Sequence, residues 1–185
     1  NEPMNYVRNI NKVFAQVTTS ELKHGQTWYA DAKAACQTMA DAYELPLRVV
    51  VGVVAALSPT NKWERNLIDA DNMLRIFMGG GYVEETMPCT YKTMRDKAWG
   101  ILTDMPGNED DVAAILNGPK ITDFFHCIMG HDVCVIDGHA WCIANADRRT
   151  MVEVPSIGKK LRKDLQGAYE MQAATWVAWK RIYNV

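Results

Sequence analysis

The chain has 185 residues, of which 48% are hydrophobic and 23% charged, a length and composition typical of one soluble globular domain. Its 20 lysines and arginines against 22 aspartates and glutamates give a net charge of −2. This balance argues against a protein that coats DNA non-specifically, because such binding depends on neutralising phosphates. Any contact with nucleic acid must come from a local basic patch.

The sequence also argues against a membrane or secreted protein. Its longest apolar stretch, 49–57, is far shorter than the roughly 20 residues that span a bilayer. The first residues do not resemble a signal peptide. The five cysteines form no compact repeating pattern, so reduced thiols are expected. We therefore expect a cytoplasmic protein with no membrane partner.

Apolar residues recur at three- and four-residue spacing along the first half of the chain, which predicts amphipathic helices. Pro46 suits a helix start, so the apolar stretch from Leu47 to Leu57 is predicted to be a central helix. The valines at 49–51 leave a buried strand as the alternative. The other predicted helices carry the stripes Tyr6–Ile10–Val13–Val17, then Trp28–Ala32–Ala35–Met39 with Thr27 as N-cap, then Trp63–Leu67–Ala70–Leu74–Phe77 ended by glycines 79–81.

The second half is predicted to be helical as well. Because no strand pattern is strong enough to build a sheet, the predicted fold is all-α, a single helical domain over residues 1–185. The predicted elements are a helix with Met94, Ala98 and Leu102; a helix from Asn108 or Glu109; a helix opened by Pro119, with Ile121, Phe124, Phe125 and Ile128 as its core side, and closed by Gly130; an extended segment at 133–136; a helix at 138–145; and one or two helices at 159–183.

Lys120 and Asp137 are the main candidates for chemistry. Lys120 follows a tight turn at the start of a predicted helix, and Asp137 follows a short apolar segment just before another. We expect the two element ends to direct these side chains towards one point. Helix starts also present free backbone N–H groups to anions such as phosphate. Alternatively, Asp137 is a helix N-cap and Lys120 a solvated first-turn lysine.

These segments resemble a known superfamily. Leu-Asn-Gly-Pro-Lys-Ile-Thr (116–122) followed by Val-Ile-Asp-Gly-His-Ala-Trp (135–141) is similar to the hairpin and catalytic-acid segments of helix-hairpin-helix DNA glycosylases. Ala-Ala-Leu-Ser-Pro-Thr (55–60) resembles the helix end and serine loop that enter the DNA-facing cleft of that superfamily. Small phage-type relatives share three further patterns, which here are Gly25 to Tyr29, Ala56 to Asn66 and Gln172 to Trp176.

The resemblance implies a helical bundle of the DNA glycosylase type that acts on a nucleobase. Two departures argue against ordinary repair: the hairpin is shortened to Asn117–Gly118–Pro119, and the four-cysteine iron–sulfur signature is absent, so no cofactor is expected. Both favour a branch that builds hypermodified thymines in phage DNA. There an amino acid or amine displaces a phosphate-type leaving group from activated 5-hydroxymethyluracil. The expected location is then the cytoplasm of an infected bacterium.

In that transferase, Asp137 would take the proton of the incoming amine and Lys120 would steady the departing phosphate. The alternatives are an N-glycosylase, in which Lys120 could attack the sugar, and a non-catalytic DNA-binding accessory protein. His139 has either a direct role or a packing role. The expected substrate- or DNA-binding residues are Ser58, Asn61, Trp63 and Asn66 in the cleft, Asn117 and Gly118 in the hairpin, Gln172 on a base edge, and Arg148, Lys159 and Lys160 on phosphates.

Several of these residues have ordinary alternatives: core packing for Trp63, and solvent exposure for Gln172 and the basic cluster. A zinc site is the remaining alternative, because three of the four histidines and three of the five cysteines fall between residues 126 and 142. The spacings of Cys127, Cys134 and Cys142 match no compact ligand pair, and Cys127 and Cys142 fit buried helix faces. No metal is therefore expected.

Overall fold

The computed structural model describes residues 6–131, together with Val133, Ile143, Ala178 and Arg181. Within this part of the chain every regular element is helical and no strand occurs, so the all-α prediction is confirmed there. None of the helices so described is both long and apolar enough to cross a membrane. The chain divides into two compact units, residues 31–131 and residues 1–30 with 132–185. The single-domain interpretation stays a prediction.

The helices begin and end close to the predicted positions in most of the chain. Proline, glycine and asparagine at the ends of these helices gave clear signals in the sequence. The helices are α1 (Tyr6–Phe14), α2 (Thr19–Tyr43), α3 (Leu47–Ala56), α4 (Trp63–Met78), α5 (Lys92–Asp104), α6 (Glu109–Leu116) and α7 (Pro119–Met129), with a 3₁₀ turn at Val83–Glu85.

Helix α3 forms the centre of the 31–131 unit. Every residue from Val49 to Leu57 is buried, and the helix packs against α4, α5, α6 and α7. Gly52 permits a close approach of α6, because a Cβ at this position would lie 2.7 Å from Cγ1 of Val112. The alternative of a buried strand in this stretch is therefore wrong. Packing against four helices leaves residues 49–57 no side that faces solvent, which explains why no polar side chain occurs among them.

Helix α2 begins earlier than predicted. Thr18 and Glu21 form a capping box: the backbone N–H of Glu21 donates to Thr18 Oγ1 at 3.1 Å, and the N–H of Thr18 donates to Glu21 Oε1 at 2.9 Å. Thr27 lies inside the helix, where its hydroxyl donates to the carbonyl of Lys23 at 2.9 Å. The prediction of Thr27 as N-cap is therefore wrong, because the earlier Thr-x-x-Glu pattern starts the helix.

Glu21 also anchors a residue from the other end of the chain. Arg181 Nε donates to Glu21 Oε2 at 3.0 Å, and the same guanidinium donates to the carbonyl of Gln16. This contact lies within the unit made of residues 1–30 and 132–185. Ile143, Ala178 and Arg181 are helical, in agreement with the helices predicted around them. The remainder of those helices, and most of the extended segment 133–136, lie outside the described residues.

Candidate functional site

A two-residue turn joins α6 and α7, at the place where the sequence predicts a tight turn. Asn108 caps α6 by accepting the N–H of Asp111 at 2.8 Å. After Leu116 the chain needs only Asn117 and Gly118 before Pro119 starts α7. Asn117, not the glycine, takes the left-handed conformation, with φ of 57°, while Gly118 has an ordinary φ of −82°. Because the turn has only two residues, the start of α7 lies close to the end of α6.

Lys97 secures this turn from a neighbouring helix. Its Nζ, on α5, donates to the carbonyl of Leu116, the last residue of α6. A cation at the carboxyl end of a helix is favoured electrostatically, and the terminal carbonyls of α6 lack partners within the helix. Lys97 was not predicted from the sequence, because it is one of several polar residues on an amphipathic helix. Nothing local marks it as the partner of a carbonyl 19 residues later.

Lys120 lies where it was predicted, in the first turn of α7. It is the second residue of the helix and its side chain is half-buried. Pro119 has no N–H, and the N–H of Thr122 is already bonded to the carbonyl of Gly118 at 2.9 Å. The first helical turn otherwise presents backbone donors. The ammonium group of Lys120 and these donors form the positive end of α7, which is suited to a phosphate oxygen.

An aromatic contact brings the start of α4 to the same side of α7. The ring of Trp63 meets the ring of Phe124 edge to face, with centroids 6.2 Å apart. Phe124 follows Lys120 by four residues, so both lie on one face of α7. Both rings are half-buried, so Trp63 packs without entering the core completely. Trp63 therefore contacts α7 at a residue that lies one helical turn from Lys120.

Ser58 and Asn61 stabilise the loop between α3 and α4. The hydroxyl of Ser58 donates to the carbonyl of Ala55 at 2.7 Å, at the end of α3. The amide of Asn61 donates to the carbonyl of Leu57 at 3.1 Å and to Asp69 Oδ2 at 2.9 Å. Both predicted cleft residues thus make contacts within the protein that shape the loop. Their role in this structure is to position their neighbours.

Asp69 is the centre of that loop structure and was not predicted. Its side chain is on α4, it is 3% exposed, and its carboxylate accepts three hydrogen bonds. Besides Asn61, the donors are Arg65 Nε at 2.9 Å and the backbone N–H of Cys89 at 2.8 Å. The sequence did indicate that Asp69 could be buried, because it directly precedes Ala70 of the apolar stripe of α4. A charged residue at a core position needs partners, and here they come from α4 itself and from two loops.

The buried face of α4 also differs from the apolar stripe that was predicted for this helix. Ala70 and Leu74 are buried as predicted, whereas Trp63, Leu67 and Phe77 are only half-buried. The other buried residues of α4 are Asn66, Asp69 and Met73, and the first two of these are polar. The loops supply hydrogen bonds to the buried Asp69, which an apolar pattern cannot reveal.

Asn66 is the second buried polar residue of α4. It is 1% exposed, and in the described part of the chain its Oδ1 is a buried side-chain acceptor without a donor. Such atoms are uncommon in native proteins and call for an explanation. Asn66 follows Trp63 by three residues, so it lies on the adjoining side of α4. Its Oδ1 is therefore an unused acceptor on α4, one helical turn from Trp63.

The predicted site also includes residues from the second half of the sequence. Asp137 and His139, the predicted partners of Lys120, lie outside the described residues, so their approach to Lys120 stays a prediction. The remaining predicted binding residues that lie outside the described part are Arg148, Lys159, Lys160 and Gln172.

The residues considered as zinc ligands make other contacts where they are described. His131 Nε2 lies 2.9 Å from Glu109 Oε1, and its ring meets that of His126 at 5.6 Å between centroids. Cys127 is buried in α7, as predicted. Among the described residues no three potential ligands come together at one point. Cys134, His139 and Cys142 lie outside this part of the chain.

Comparison with known proteins gives one match. No curated protein matches the sequence, and no solved structure matches the fold. A family model matches residues 1–182, which is almost the whole chain. The chain therefore belongs to DUF7178, a family of unknown function.

Proposed function

We propose that this protein modifies nucleobases in DNA and that it transfers an amino acid or another amine to activated 5-hydroxymethyluracil. The proposal places the chain among enzymes similar to helix-hairpin-helix DNA glycosylases. Its substrate is a flipped or single-stranded base, and its second substrate is the amine. No resident cofactor or metal is needed for this reaction.

The observation that carries the proposal is the position of Lys120. It follows the two-residue turn after α6, occupies the first turn of α7, and shares a helix face with Phe124, which contacts Trp63. A half-buried lysine at the positive end of a helix is suited to a phosphate group. The two aromatic rings beside it supply an apolar wall of the kind that accepts a base.

The proposed reaction is a displacement at the exocyclic carbon of the activated base. The amine nitrogen donates its lone pair to the methylene carbon, and the bond from that carbon to the phosphate oxygen breaks. The electron pair of that bond leaves with the phosphate, whose charge is stabilised by Lys120 and the backbone N–H groups of α7. Asp137 accepts the proton that the attacking nitrogen loses. Atoms and charge then balance without a redox step.

An assay with defined DNA tests this reaction. Single-stranded oligonucleotides containing uracil, an oxidised base or phosphate-activated 5-hydroxymethyluracil are incubated with the protein, with and without amino acids. Nucleosides are then analysed by mass spectrometry. The proposal predicts a heavier nucleoside only from the activated base and only with an amine present. Release of a free base identifies an N-glycosylase instead, and unchanged DNA that stays bound identifies an accessory protein.

Two substitutions test the assigned residues. Asp137→Asn should lower turnover by about 10²- to 10⁴-fold, the usual range for a positioned acid or base. Lys120→Ala should lower turnover by about 10²-fold or more, since it removes charge stabilisation of the leaving group. Lys12→Ala is the matched control, because Lys12 is an exposed lysine on α1. Full activity of either site variant, or an equal loss in the control, contradicts the assignment.

A further inference from the structure

Two loops of the 31–131 unit are held side by side. One is 57–62, between α3 and α4, and the other is 86–91, which leads into α5. Thr90 Oγ1 donates to the carbonyl of Pro59 at 2.7 Å. The backbone N–H of Cys89 and the side-chain amide of Asn61 both donate to Oδ2 of the buried Asp69. This shared carboxylate fixes the spacing of the two loops, so groups exposed on both form one surface.

Exposed cations flank this junction. Lys62 follows Asn61 in the first loop, and Lys92 lies two residues after Thr90. The Arg65 side chain is 45% exposed even though its Nε donates to Asp69. Glu64 is the only acidic residue in segments 57–65 and 86–92 of the sequence. A chain with a net charge of −2 thus has three exposed cations against one exposed anion at this place.

An exposed aromatic ring lies among these cations. Tyr91 directly precedes Lys92, it is 56% exposed, and its side chain makes no capping hydrogen bond to α5. The face of this ring is therefore available to a partner outside the protein. An aromatic ring on which bases stack, next to cations that follow the phosphates, is the combination by which proteins bind single-stranded nucleic acid.

We infer that this loop-pair surface, defined by Lys62, Arg65, Tyr91 and Lys92, binds single-stranded DNA. Tyr91 stacks on a base and the cations contact the phosphates on either side. The choice of DNA as the polymer rests on the proposed function. Trp63 follows Lys62 and meets Phe124 on α7, so a strand on this surface leads to the side of α7 that carries Lys120.

Fluorescence anisotropy with a labelled single-stranded oligonucleotide tests the inference. Three phosphate contacts predict that the logarithm of the binding constant falls with the logarithm of salt concentration with a slope of about −2. Lys62→Ala and Lys92→Ala should each weaken binding at low salt and flatten this slope by about 0.7. Tyr91→Ala should weaken binding by about 5- to 100-fold at any salt concentration, and Tyr91→Phe should retain it.

Matched controls lie elsewhere on the protein. Lys12→Ala removes an exposed lysine from α1, and Tyr82→Ala removes an exposed tyrosine that lies beside Glu84 and Glu85. Both should bind like the unaltered protein, and thermal melting should show that all variants are folded. Absence of binding by the unaltered protein overturns the inference. Equal losses in the control and surface variants also overturn it.

The same variants separate this inference from the proposed function. If single strands bind with the expected dependence on Lys62, Lys92 and Tyr91 but no nucleoside is altered, the surface stands and the proposed reaction fails. If a heavier nucleoside forms and the surface variants bind and react like the unaltered protein, the reaction stands and the inferred surface fails.

Discussion

At the scale of single residues, Asp69 contributes most to the geometry of the candidate site. A carboxylate removed from water is unfavourable unless hydrogen bonds compensate it, and Asp69 accepts them from Arg65, Asn61 and the backbone of Cys89. These partners belong to α4 and to the two loops that flank it. The charge therefore stabilises a particular arrangement of loops. It is a positioning residue, because its carboxylate holds Arg65 and Asn61 in place.

Asp69→Asn should destabilise the protein by about 1.5–3 kcal/mol, the contribution of a hydrogen bond to a charged group. An asparagine has one acceptor oxygen, and its amide nitrogen would face one of the present donors. The free energy of unfolding from urea denaturation measures this effect. Asp71→Asn is the matched control on the same helix, because Asp71 is exposed and its carboxylate accepts a hydrogen bond from Tyr43 on the surface. Similar losses in both variants would show that Asp69 has no special role.

Some residues of the candidate site could be predicted from the sequence, and others could not. Lys120, Trp63 and Asn61 were selected from motif spacing, and they lie in the loops and helix starts where they were expected. The functions of Asp69 and Lys97 depend on partners 19 or 20 residues away, which only the packing of helices brings together. The hydrogen bonds of Ser58 and Asn61 within the protein were not predicted, for the same reason. Their hydrogen bonds are directed inward, to the end of α3 and to Asp69.

At the scale of elements, the α6–α7 turn depends on the left-handed conformation of Asn117. Asn117→Val should destabilise the protein by about 1–2 kcal/mol, because a branched Cβ is unfavourable at positive φ. Asn117→Gly should change stability by no more than about 1 kcal/mol, since glycine adopts this conformation without strain but is freer when unfolded. Thermal or urea unfolding distinguishes the two. A valine variant as stable as the glycine variant would contradict the observed turn.

Helix boundaries were predictable where one residue dictates the backbone. Asn108 caps α6, Pro119 fits the first turn of α7, and Gly130 ends α7 with φ of 103°. Helix α2 was misplaced at its start, because Thr27 and the Thr18–Glu21 pair are both plausible caps. The pair is better, since each residue satisfies a backbone N–H of the other. The burial of polar residues on α4 has no comparable local signal.

At the scale of the whole chain, Arg181 and Glu21 join segments 160 residues apart in the sequence. The side-chain hydrogen bond from Arg181 is the main cause that lowers the pKa of Glu21 below its ordinary value of 4.5, with a further contribution from Thr18. A carboxyl group with a lowered pKa in the folded state stabilises that state above its ordinary pKa. This stabilisation is lost as the pH falls through the lowered value.

The difference in unfolding free energy between the unaltered protein and Glu21→Gln should therefore be greatest near neutral pH. It should shrink as the pH falls below 4.5, when Glu21 becomes protonated in both states. Urea denaturation across that range measures the difference. Glu84→Gln is the control, because Glu84 is exposed. A difference that does not depend on pH, or one equal to that of the control, would contradict a stabilising contact between Glu21 and Arg181.

The central claim is that Lys120 belongs to a site that joins an amine to a base in DNA. Its most direct test is to incubate the protein with DNA carrying phosphate-activated 5-hydroxymethyluracil and an isotope-labelled amino acid, and then to weigh the released nucleosides by mass spectrometry. The proposal predicts a nucleoside that carries the label with the unaltered protein and with Lys12→Ala, and its near absence with Lys120→Ala. A free base, unlabelled nucleosides throughout, or equal labelling by Lys120→Ala would contradict it.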